Sequence, residues 1–315
     1  MKVEILILNK NTIYQPVVEG VITVNFALNT VGKMEFTVVK DDIISFHEGN
    51  PVVLKLDGVT FFKGFVFTKS RNKDNLIKVV CFDQMRYLKN KDTYQYGGIT
   101  YSKLLIEICK DRGLKTGYME DTKFILPERI EKNKEYLQIL QTAGDITMKN
   151  TGNIFFLADE AGSLCLRDIT KTKVDYPVTV NNMSNFELQS SIDNSYNRIR
   201  LAYESKNKVI EHKTKEDAKN IEKWGMLQYY EEVKTKENIE ARAEELLKMH
   251  NRVKRSLKLR KVLGNTLVRE GRIIPVSISA ALDMSVQEYM LVTEATHSFE
   301  GGHHFMDLTV QGERF

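Results

Sequence analysis

Three histidines near the carboxyl end of the sequence have a residue type and a spacing that could bind a metal ion. His297 precedes the turn sequence Glu300–Gly302, and His303 and His304 follow it directly. A hairpin closed at this turn would bring His297 towards the other two, and Asp307 could add an oxygen ligand. A metal site requires three or four converging ligands, whereas exposed histidines on a turn are far commoner than metal sites. We therefore expect these histidines to decorate a hairpin, with no metal and no cofactor bound.

Three pairs of neighbouring carboxylates raise the possibility of glycoside hydrolysis, which needs two carboxyl groups that converge across a sugar. One of the two must also have a raised pKa, so that it can act as an acid. The pairs are Asp41 and Asp42, Glu231 and Glu232, and Glu244 and Glu245. The last pair lies on a predicted lysine-rich helix, and the others lie at strand ends or turns. None occupies a predicted cleft, and we expect neither hydrolase activity nor an appended lytic domain.

The sequence contains no G-x-S-x-G motif, no P-loop and no dinucleotide fingerprint after a strand. Its three cysteines are Cys81, Cys109 and Cys165. Their odd number, wide spacing and apolar neighbours argue against a disulfide framework or a zinc site and favour synthesis in a reducing compartment. Thiols in apolar strands are inert. We therefore predict that the protein is not an enzyme and has no catalytic residue.

The most basic stretch, residues 248–261, contains seven lysines and arginines. It could bind nucleic-acid phosphates, dock onto an acidic protein surface, or be a solvated strand face. Lys258 and Arg260 alternate with Leu257 and Leu259, as on a strand with one buried side, and no aromatic residues interleave with the charges. We expect a solvated face or a docking surface, and no nucleic-acid binding.

The composition is that of a soluble globular protein with two or three domains. The 315 residues are 42% hydrophobic and 28% charged, with 46 basic and 42 acidic side chains interleaved along the chain. No apolar run reaches the roughly twenty residues that a membrane span needs. Residues 1–10 lack a small-residue cleavage site, so we predict a first β-strand there and not a signal peptide.

Residues 1–94 are predicted to form a first antiparallel β-barrel domain. Residues 21–29 alternate between apolar and polar side chains, which is typical of a half-buried strand, and further strand-like segments follow. Turn signals separate several of them. Asp57 and Gly58 form one of the better hairpin signals, because both residue types tolerate positive φ. Several short strands with close turns are typical of a small barrel or sandwich.

Residues 95–187 are predicted to form a small α+β domain. A first helix is capped by Thr100 and Gly113, and a second amphipathic stretch ends at Gly144. A predicted hairpin with its turn at Asp159–Gly162 follows.

Strands return in residues 188–315, which we predict to form a second antiparallel β-barrel domain with a helical insertion at about residues 236–252. The predicted fold class is mainly β, with two related antiparallel β-barrel domains flanking a small α+β domain.

Two distant segments, Glu48–Gly58 and Glu270–Ala280, begin with the same Glu-Gly pair and continue into an alternating apolar run. Each is followed by two further strand-like segments, so the order of elements matches as well. Alignment of the segments predicts six inward-facing side chains, since a strand face repeats every second residue. These are Val52, Leu54 and Leu56 in the first segment, and Ile274, Val276 and Ile278 in the second. Coincidence between two ordinary hairpins is the alternative to a true repeat.

Two aromatic clusters exceed what one buried strand face can hold. A period of two places Phe61, Phe65 and Phe67 on one face of a strand and Phe62 on the other. Either this strand is covered on both sides, or some of its aromatic residues contact a partner. A second cluster poses the same question later in the chain. We predict that one or both clusters lie at subunit interfaces, with candidate residues Phe61, Phe62, Phe65, Trp224, Tyr229 and Tyr230.

The sequence resembles the baseplate hub proteins of contractile phage tails, in the XkdQ/YqbQ-like branch. The wider family includes late-control-D hub proteins and the N-terminal part of type VI secretion spikes. The matching segments are collinear and cover almost the whole chain. They are EGNPVVLKLDG with FFKGFVF, GGITYSKLLIEICKDRGL, LQILQTAGD with GNIFFLADEAGSLCLRD, SYNRIRLAYE with KWGMLQYYEEV, ARAEELLKMHNR, and VTEATHSFEGGHHFMDLTV.

The resemblance implies a structural hub that assembles as a homotrimer. Each subunit supplies two related barrels, so three copies present six similar modules that match a sixfold tail tube, while the true threefold symmetry suits a trimeric spike. The implied partners are the tail tube protein, the spike protein and other baseplate proteins. The implied location is a virion or tail-like bacteriocin particle, assembled in the cytoplasm of the bacterial host. Two alternatives stay open: a tail-associated cell-wall hydrolase, and a carbohydrate- or nucleic-acid-binding barrel protein.

Overall fold

The protein is described here from a computed structural model that covers residues 1–205, 208–233, 239–278 and 285–312. Within these ranges the fold is mainly β, with twenty-one strands and four α-helices. None of the described helices is long and apolar enough to cross a bilayer. The contacts divide the chain into two compact units. Unit 1 contains residues 1–186 and 258–310, and unit 2 contains residues 187–257 with Gln311 and Gly312.

Unit 1 begins with seven strands, as the alternation of apolar residues predicts. They are β1 (Val3–Asn9), β2 (Thr12–Tyr14), β3 (Val18–Ala27), β4 (Lys33–Val39), β5 (Pro51–Leu56), β6 (Val59–Arg71) and β7 (Leu76–Phe82). We call them the N-module. Their spatial order is β3-β4-β7-β6-β5-β1-β2, and all neighbouring pairs are antiparallel.

The N-module sheet curls around a single apolar core. Ile5 of β1 and Ile22 of β3 come from strands far apart in the spatial order, yet both belong to this core. Alternate residues of the strands between them complete it, because side chains of a strand point to opposite faces in turn. No pairing between β1 or β2 and β3 occurs among the described residues, so the described sheet is an open, barrel-like layer.

A β-bulge in β6 determines where its aromatic residues lie. Leu54 of β5 is paired with Phe62, but the next residue, Lys55, is paired with Thr60, so Phe61 is the extra residue. The extra residue changes the phase of the alternation. Phe61 and Phe62 are therefore both buried in the N-module core, and the prediction that they lie on opposite faces is wrong.

A small α+β region follows the N-module, as predicted. Its elements are β8 (Lys91–Tyr96), α1 (Tyr101–Asp111), β9 (Thr116–Met119), β10 (Arg129–Glu135), α2 (Tyr136–Thr151), β11 (Phe155–Asp159) and β12 (Leu164–Asp168), with 3₁₀ turns at Gln84–Lys89 and Ile169–Lys171. We call residues 83–172 the middle region. Helices α1 and α2 share one apolar core with strands β11 and β12.

The predicted ends of α1 are confirmed, and the predicted end of α2 is wrong. The hydroxyl of Thr100 caps α1, and Gly113 follows the helix with φ 65°. Helix α2 does not end at Gly144 but continues to Gly152, which has φ 75°. A Cβ at Gly144 would lie 3.3 Å from the ring of Tyr101. This glycine therefore serves the close approach of α1 and α2, not the end of a helix.

Six strands at the end of unit 1 form the C-module. They are β13 (Val178–Thr179), β14 (Asn185–Ser191), β18 (Lys254–Leu263), β19 (Ile273–Ile278), β20 (Val286–Glu300) and β21 (His303–Gly312). Their spatial order is β14-β18-β21-β20-β19-β13. Strands β14 and β18 lead into and out of unit 2.

The C-module repeats the strand order of the N-module. Taken along the chain, β1, β3, β4, β5, β6 and β7 occupy the same relative places as β13, β14, β18, β19, β20 and β21. One pair differs, since β1 is antiparallel to β5 whereas β13 is parallel to β19. A second difference is the connection between the second and third strands. It is a short turn, residues 28–32, in the N-module, and it contains most of unit 2 in the C-module.

The repeated Glu-Gly segments occupy equivalent positions in this arrangement. Gly49 has φ 85° and Gly271 has φ 75°, so both precede their strands in the left-handed conformation that glycine adopts freely. The six side chains that the alignment predicts to face inward are all buried. They are Val52, Leu54, Leu56, Ile274, Val276 and Ile278.

Strand β20 joins the two modules into one sheet. Residues 286–291 pair with β19, and residues 294–299 pair with residues 22–27 of β3 in antiparallel register. Phe299 consequently enters the N-module core, where its ring centroid lies 5.7 Å from that of Phe61. The N-module core is therefore completed by a residue from the far end of the chain.

Unit 2 is an α/β unit and contains more than the predicted helix. Its elements are β15 (Arg198–Ser205), β16 (Lys208–Glu216), α3 (Ala218–Trp224), β17 (Gln228–Val233) and α4 (Ile239–His250). Strand β15 lies between β16 and β17, antiparallel to the first and parallel to the second. A parallel pair needs a crossover connection, and α3 lies in it. Helix α4 lies within the predicted interval 236–252, of which residues 236–238 are outside the described residues.

The three predicted domains, residues 1–94, 95–187 and 188–315, stay a prediction. The division into compact units groups both modules and the middle region in unit 1. It reflects where contacts are dense, and it does not compare the two modules with each other.

The two repeat glycines provide a matched test of this architecture. A Cβ at Gly49 would meet no atom within 4 Å, whereas a Cβ at Gly271 would lie 2.2 Å from the ring of Phe156. We expect Gly49→Ala to lower the free energy of unfolding by about 1–2 kcal/mol, the cost of a left-handed alanine. We expect Gly271→Ala to cost about 1–3 kcal/mol more, because the ring must move. Urea denaturation of both variants measures the difference, and equal losses would contradict the tight packing at Gly271.

Candidate functional site

The six aromatic residues predicted at subunit interfaces divide into buried and surface positions. The ring centroid of Phe61 lies 5.7 Å from that of Phe26, in an edge-to-face arrangement, and Phe62 is 2% exposed. The N-module core thus covers both residues, which answers in part the alternative that the sequence left open. An interface role stays a prediction for the members that are half-buried or exposed, namely Phe65, Trp224, Tyr229 and Tyr230.

Phe65 lies on the side of β6 that faces away from the N-module core. Its ring centroid is 5.5 Å from that of Tyr87, in an edge-to-face arrangement. Phe67, two residues further along the same face, packs 5.3 Å from Phe82, and the guanidinium of Arg86 lies 5.5 Å from the centre of its ring. These side chains are half-buried and form an apolar surface against the first turn of the middle region.

The second aromatic cluster lies entirely in unit 2. Trp224 ends α3 and is half-buried. Tyr229 stacks on His250 with a centroid distance of 5.9 Å, and its next neighbour in β17, Tyr230, is 48% exposed. Tyr230 is therefore the residue of this cluster with the largest exposed aromatic surface.

Two buried aspartates hold the N-module and the middle region together. Asp83 accepts backbone N–H bonds from Gly32 at 2.8 Å and from Met85 at 3.0 Å. Asp159 accepts from Gln84 at 3.3 Å and from Gly162 at 2.6 Å. Burial, together with the charge of Asp159, raises the pKa of Asp83 well above its usual range. Burial also raises the pKa of Asp159. Both carboxyl groups therefore favour the folded state less as the pH rises.

Arg269 brings the C-module into the same place. Its guanidinium forms two hydrogen bonds with Glu270, at 2.9 and 2.7 Å, and donates a third to the carbonyl of Asp159 at 2.8 Å. The guanidinium also lies 4.1 Å from the centre of the Phe26 ring in the N-module. Arg269 is 8% exposed and Glu270 is 3% exposed. One buried side chain thus contacts both modules and the middle region.

A second ion pair network lies next to Arg269. Glu160 accepts two bonds from Arg167, at 2.6 and 2.5 Å, and one from Arg272 of the C-module, at 2.9 Å. Burial would raise the pKa of Glu160, but the hydrogen bonds and charges of these arginines outweigh it and lower the pKa to about 2. We call this network, together with the two aspartates, the buried junction, defined by Asp83, Asp159, Glu160, Arg167, Arg269, Glu270 and Arg272.

Sequence reasoning did not identify the buried junction. Its members come from three segments that are about 75 to 110 residues apart in the chain, so no local spacing reveals them. One local signal was available, because Glu270 belongs to the repeated Glu-Gly pair. Its acidic side chain was treated only as a landmark for alignment, although it is the partner of the buried Arg269.

The histidines of the last hairpin form a neutral buried pair. The Nδ1 atom of His297 and the Nε2 atom of His304 are 2.9 Å apart and share a hydrogen bond. Burial lowers the pKa of His297 well below its usual value and lowers that of His304 to about 4. His303 is exposed, and Asp307 accepts from the backbone N–H of Lys261. Among the described residues, no group of three or more His, Cys, Asp or Glu side chains could hold a metal ion.

The predicted carboxylate pairs are bound to backbone or to cations. Asp41 accepts from the N–H groups of Ile43 and Ile44. The partners of the others are Arg242 for Glu231, Lys215 for Glu244 and Lys248 for Glu245. None of these carboxylates lies beside a carboxylate of another pair in these contacts.

The basic stretch and the cysteines are packed as their neighbours predict. Leu257 and Leu259 are fully buried, which confirms that the strand has one apolar side. Cys81, Cys109 and Cys165 are buried and unpaired. Burial raises the pKa of each thiol, to about 12 for Cys109 and about 11 for Cys165.

A groove of about 840 Å³ opens between the N-module and the middle region, on the outer side of β1, β5 and β6. Phe65 lines it, so one of the predicted interface residues belongs to a concave surface. We call it the outer groove. Its remaining lining residues are Leu6, Leu8, Ile13, Pro51, Val53, Lys55, Thr60, Lys63, Gln84, Tyr87, Asn90, Arg112, Gly113, Leu114, Lys115, Ala161 and Gly162.

Comparison with known proteins identifies the family of this chain. The family model described as YqbQ-like matches residues 23–311, which is most of the chain. The chain belongs to the YqbQ-like family. The phage-like element PBSX protein XkdQ of Bacillus subtilis (strain 168) is 28% identical to this YqbQ-like chain over 272 residues. That alignment covers 84% of the chain and 82% of XkdQ.

The fold of the YqbQ-like chain also occurs in solved tail proteins. It is similar to the 43 kDa tail protein of prophage MuSo2 from Shewanella oneidensis, with a TM-score of 0.72 and 16% identity over 98% of this chain and 97% of that one. It is also similar to a tail protein from Neisseria meningitidis MC58, with a TM-score of 0.75 and 10% identity over 99% of this chain and 97% of that one. At such low identity the likeness is one of fold.

Glu160 provides a test of the buried junction. We expect Glu160→Gln to lower the free energy of unfolding at neutral pH by about 3 kcal/mol, because the pKa of this carboxyl group is about 2 in the fold instead of the ordinary 4.5. A lowered pKa stabilises the fold above 4.5 and loses this effect as the pH falls towards 2. Urea denaturation from neutral pH to about pH 3 should therefore show the deficit of the variant shrinking below 4.5. Glu48→Gln, at an exposed position, is the control, and a deficit of constant size would contradict the assignment.

Proposed function

We propose that this YqbQ-like chain is a structural hub of a phage tail baseplate, in a contractile tail or a tail-like bacteriocin. Three copies form a ring that presents six similar β-modules. One side of the ring binds the sixfold tail tube, and the other side binds the trimeric spike. Other baseplate proteins bind around it, and assembly takes place in the cytoplasm of the bacterial host before the protein becomes part of the particle.

The observation that carries this proposal is the repeated strand order of the N-module and the C-module. Two modules of one topology within a subunit allow a threefold ring to offer contacts with near-sixfold spacing. The repeat also supports the division into two β-barrel domains that flank the middle region. The fold likeness to prophage tail proteins is consistent with this role.

The proposed role is one of geometry, without catalysis. The buried ionic residues of unit 1 are used to connect its parts, and the carboxylate pairs named above are bound to backbone or cations. A wall hydrolase would require a free carboxylate pair across a cleft. Neither the hydrolase nor a carbohydrate- or nucleic-acid-binding protein is favoured by a specific observation in the described residues.

The oligomeric state of the purified protein tests the ring. We expect multi-angle light scattering to give about three times the 36.3 kDa mass of the chain. We propose that Tyr230 lies at a subunit interface of the ring, because its ring is 48% exposed. Tyr230→Asp should then shift the mass towards that of one copy, since an interfacial aromatic residue contributes on the order of 2 kcal/mol or more.

A control variant separates this effect from a general loss of solubility. Val59→Asp changes a side chain that is 72% exposed at the turn between β5 and β6, and it should leave the mass unchanged. A parent protein of one-copy mass at all concentrations, also in complex with tube and spike proteins, would refute the trimeric ring. A tagged chain that is absent from purified tail particles would refute the baseplate role itself.

A further inference from the structure

The outer groove combines an apolar lining with unneutralised positive charge. Leu6 and Leu8 of β1 and Val53 of β5 lie at alternate strand positions, so their side chains project from the same outer face. Leu8 is 39% exposed and Ile13, on the adjacent β2, is 65% exposed. The apolar surface thus continues from the groove onto the outside of the sheet. An apolar surface that stays open in this way is typical of a binding site.

Four cations and no acidic residue line the groove in the described part of the chain. Arg112 is neutralised by Asp92, with 3.1 Å between Nη2 and Oδ2. Lys55, Lys63 and Lys115 form no salt bridge with any described residue. The stem of Lys63 lies against Gly162, since a Cβ at that glycine would be 2.6 Å from its Cδ. Three lysine charges therefore surround an apolar lining without a counter-charge.

The walls of the groove are held in place before anything binds. The side chain of Gln84 donates to the carbonyl of Lys115 at 3.1 Å and accepts from its N–H at 3.0 Å. This pair of bonds fixes the loop after α1 to the first turn of the middle region. Arg112 is fixed by Asp92 and by the ring of Tyr136, 4.8 Å from its guanidinium. A partner would meet a preformed site and would lose little binding energy to its ordering.

We propose that the outer groove binds a short peptide segment of another protein in which apolar residues alternate with aspartate or glutamate. Apolar side chains of the segment fill the space lined by Leu6, Val53 and Phe65. Its carboxylates neutralise Lys55, Lys63 and Lys115, and this charge complementarity selects the acidic segment. A space of about 840 Å³ accommodates a few residues, not a domain.

Single-stranded nucleic acid fits the groove less well than such a peptide. It would need free aromatic faces on which bases stack. The two aromatic residues of the lining, Phe65 and Tyr87, instead pack against each other at 5.5 Å. The remaining apolar lining is aliphatic. This proposal goes beyond the structural role of the hub and does not depend on it, because it is tested with the purified full-length chain alone.

Fluorescence anisotropy of labelled synthetic peptides tests the proposal. The probe is the peptide LDLEFDLE, and its matched neutral control is LNLQFNLQ, which has nearly the same size and apolar content. At low salt we expect the acidic peptide to bind about tenfold more tightly than the neutral one. Raising the salt should remove most of that difference, because exposed charges are screened. Failure of the acidic peptide to bind, or equal binding of both peptides, would overturn the proposal.

Variants of the chain locate the binding. The double variant Lys55→Glu with Lys63→Glu should weaken binding of the acidic peptide about tenfold, whereas Lys73→Glu, at an exposed turn, should change it less than about twofold. If the charge reversal prevents folding, the double variant Lys55→Gln with Lys63→Gln removes the charges and keeps the stems, and it should weaken binding about threefold to fivefold. Unchanged binding in the folded variants would overturn the proposal.

Two further measurements distinguish other occupants of the groove. Displacement of the bound peptide by an oligothymidylate would identify a nucleic-acid site and overturn the peptide proposal. Val53→Asp should abolish peptide binding and leave the oligomeric mass unchanged, with Val59→Asp as the control that binds like the parent. A loss of trimer mass in Val53→Asp alone would show that a second copy of this chain fills the groove, which also overturns the proposal.

Discussion

The antiparallel pairing of β20 with β3 is the interaction on which the rest of unit 1 depends. Six residues of β20 pair with six residues of β3. Ala295, His297 and Phe299 face the N-module core and are almost completely buried. On the other face, the side-chain amide of Asn25 donates to Glu294 and to Thr296, both at 2.8 Å. Because a shift of one residue would exchange these two faces, burial and these hydrogen bonds together fix the register.

This pairing places the two modules next to each other, and the buried junction then fixes the middle region against both. Buried charges are tolerated only when partners neutralise them and satisfy their hydrogen bonds. Arg269 meets this requirement by contacting Glu270, the carbonyl of Asp159 and the ring of Phe26 at once. Movement of any one part of unit 1 away from the junction would leave a buried charge without its partner. The arrangement is therefore expected to be rigid within unit 1.

A rigid unit with two similar modules suits a protein whose function is to match symmetries. The N-module and the C-module differ chiefly in what connects their second and third strands, a short turn in one and most of unit 2 in the other. Repeated strands give the two modules a common frame, while the insertion and the outer groove give each a distinct surface. Such differences are what a ring needs in order to bind different partners through modules of the same topology.

The sequence by itself determined the features that depend on neighbours along the chain. Strand alternation in the N-module, the caps at Thr100 and Gly113, and the burial of the residues aligned by the repeated Glu-Gly segments all follow from local spacing. The tertiary structure alone decided the features that depend on distant partners: the bulge that buries Phe61, the passage of Gly144 through a helix against Tyr101, and the buried junction. The physical reason is that side-chain periodicity is a local property of the backbone. Charge pairing and close packing join residues about a hundred positions apart, and only the folded chain brings these together.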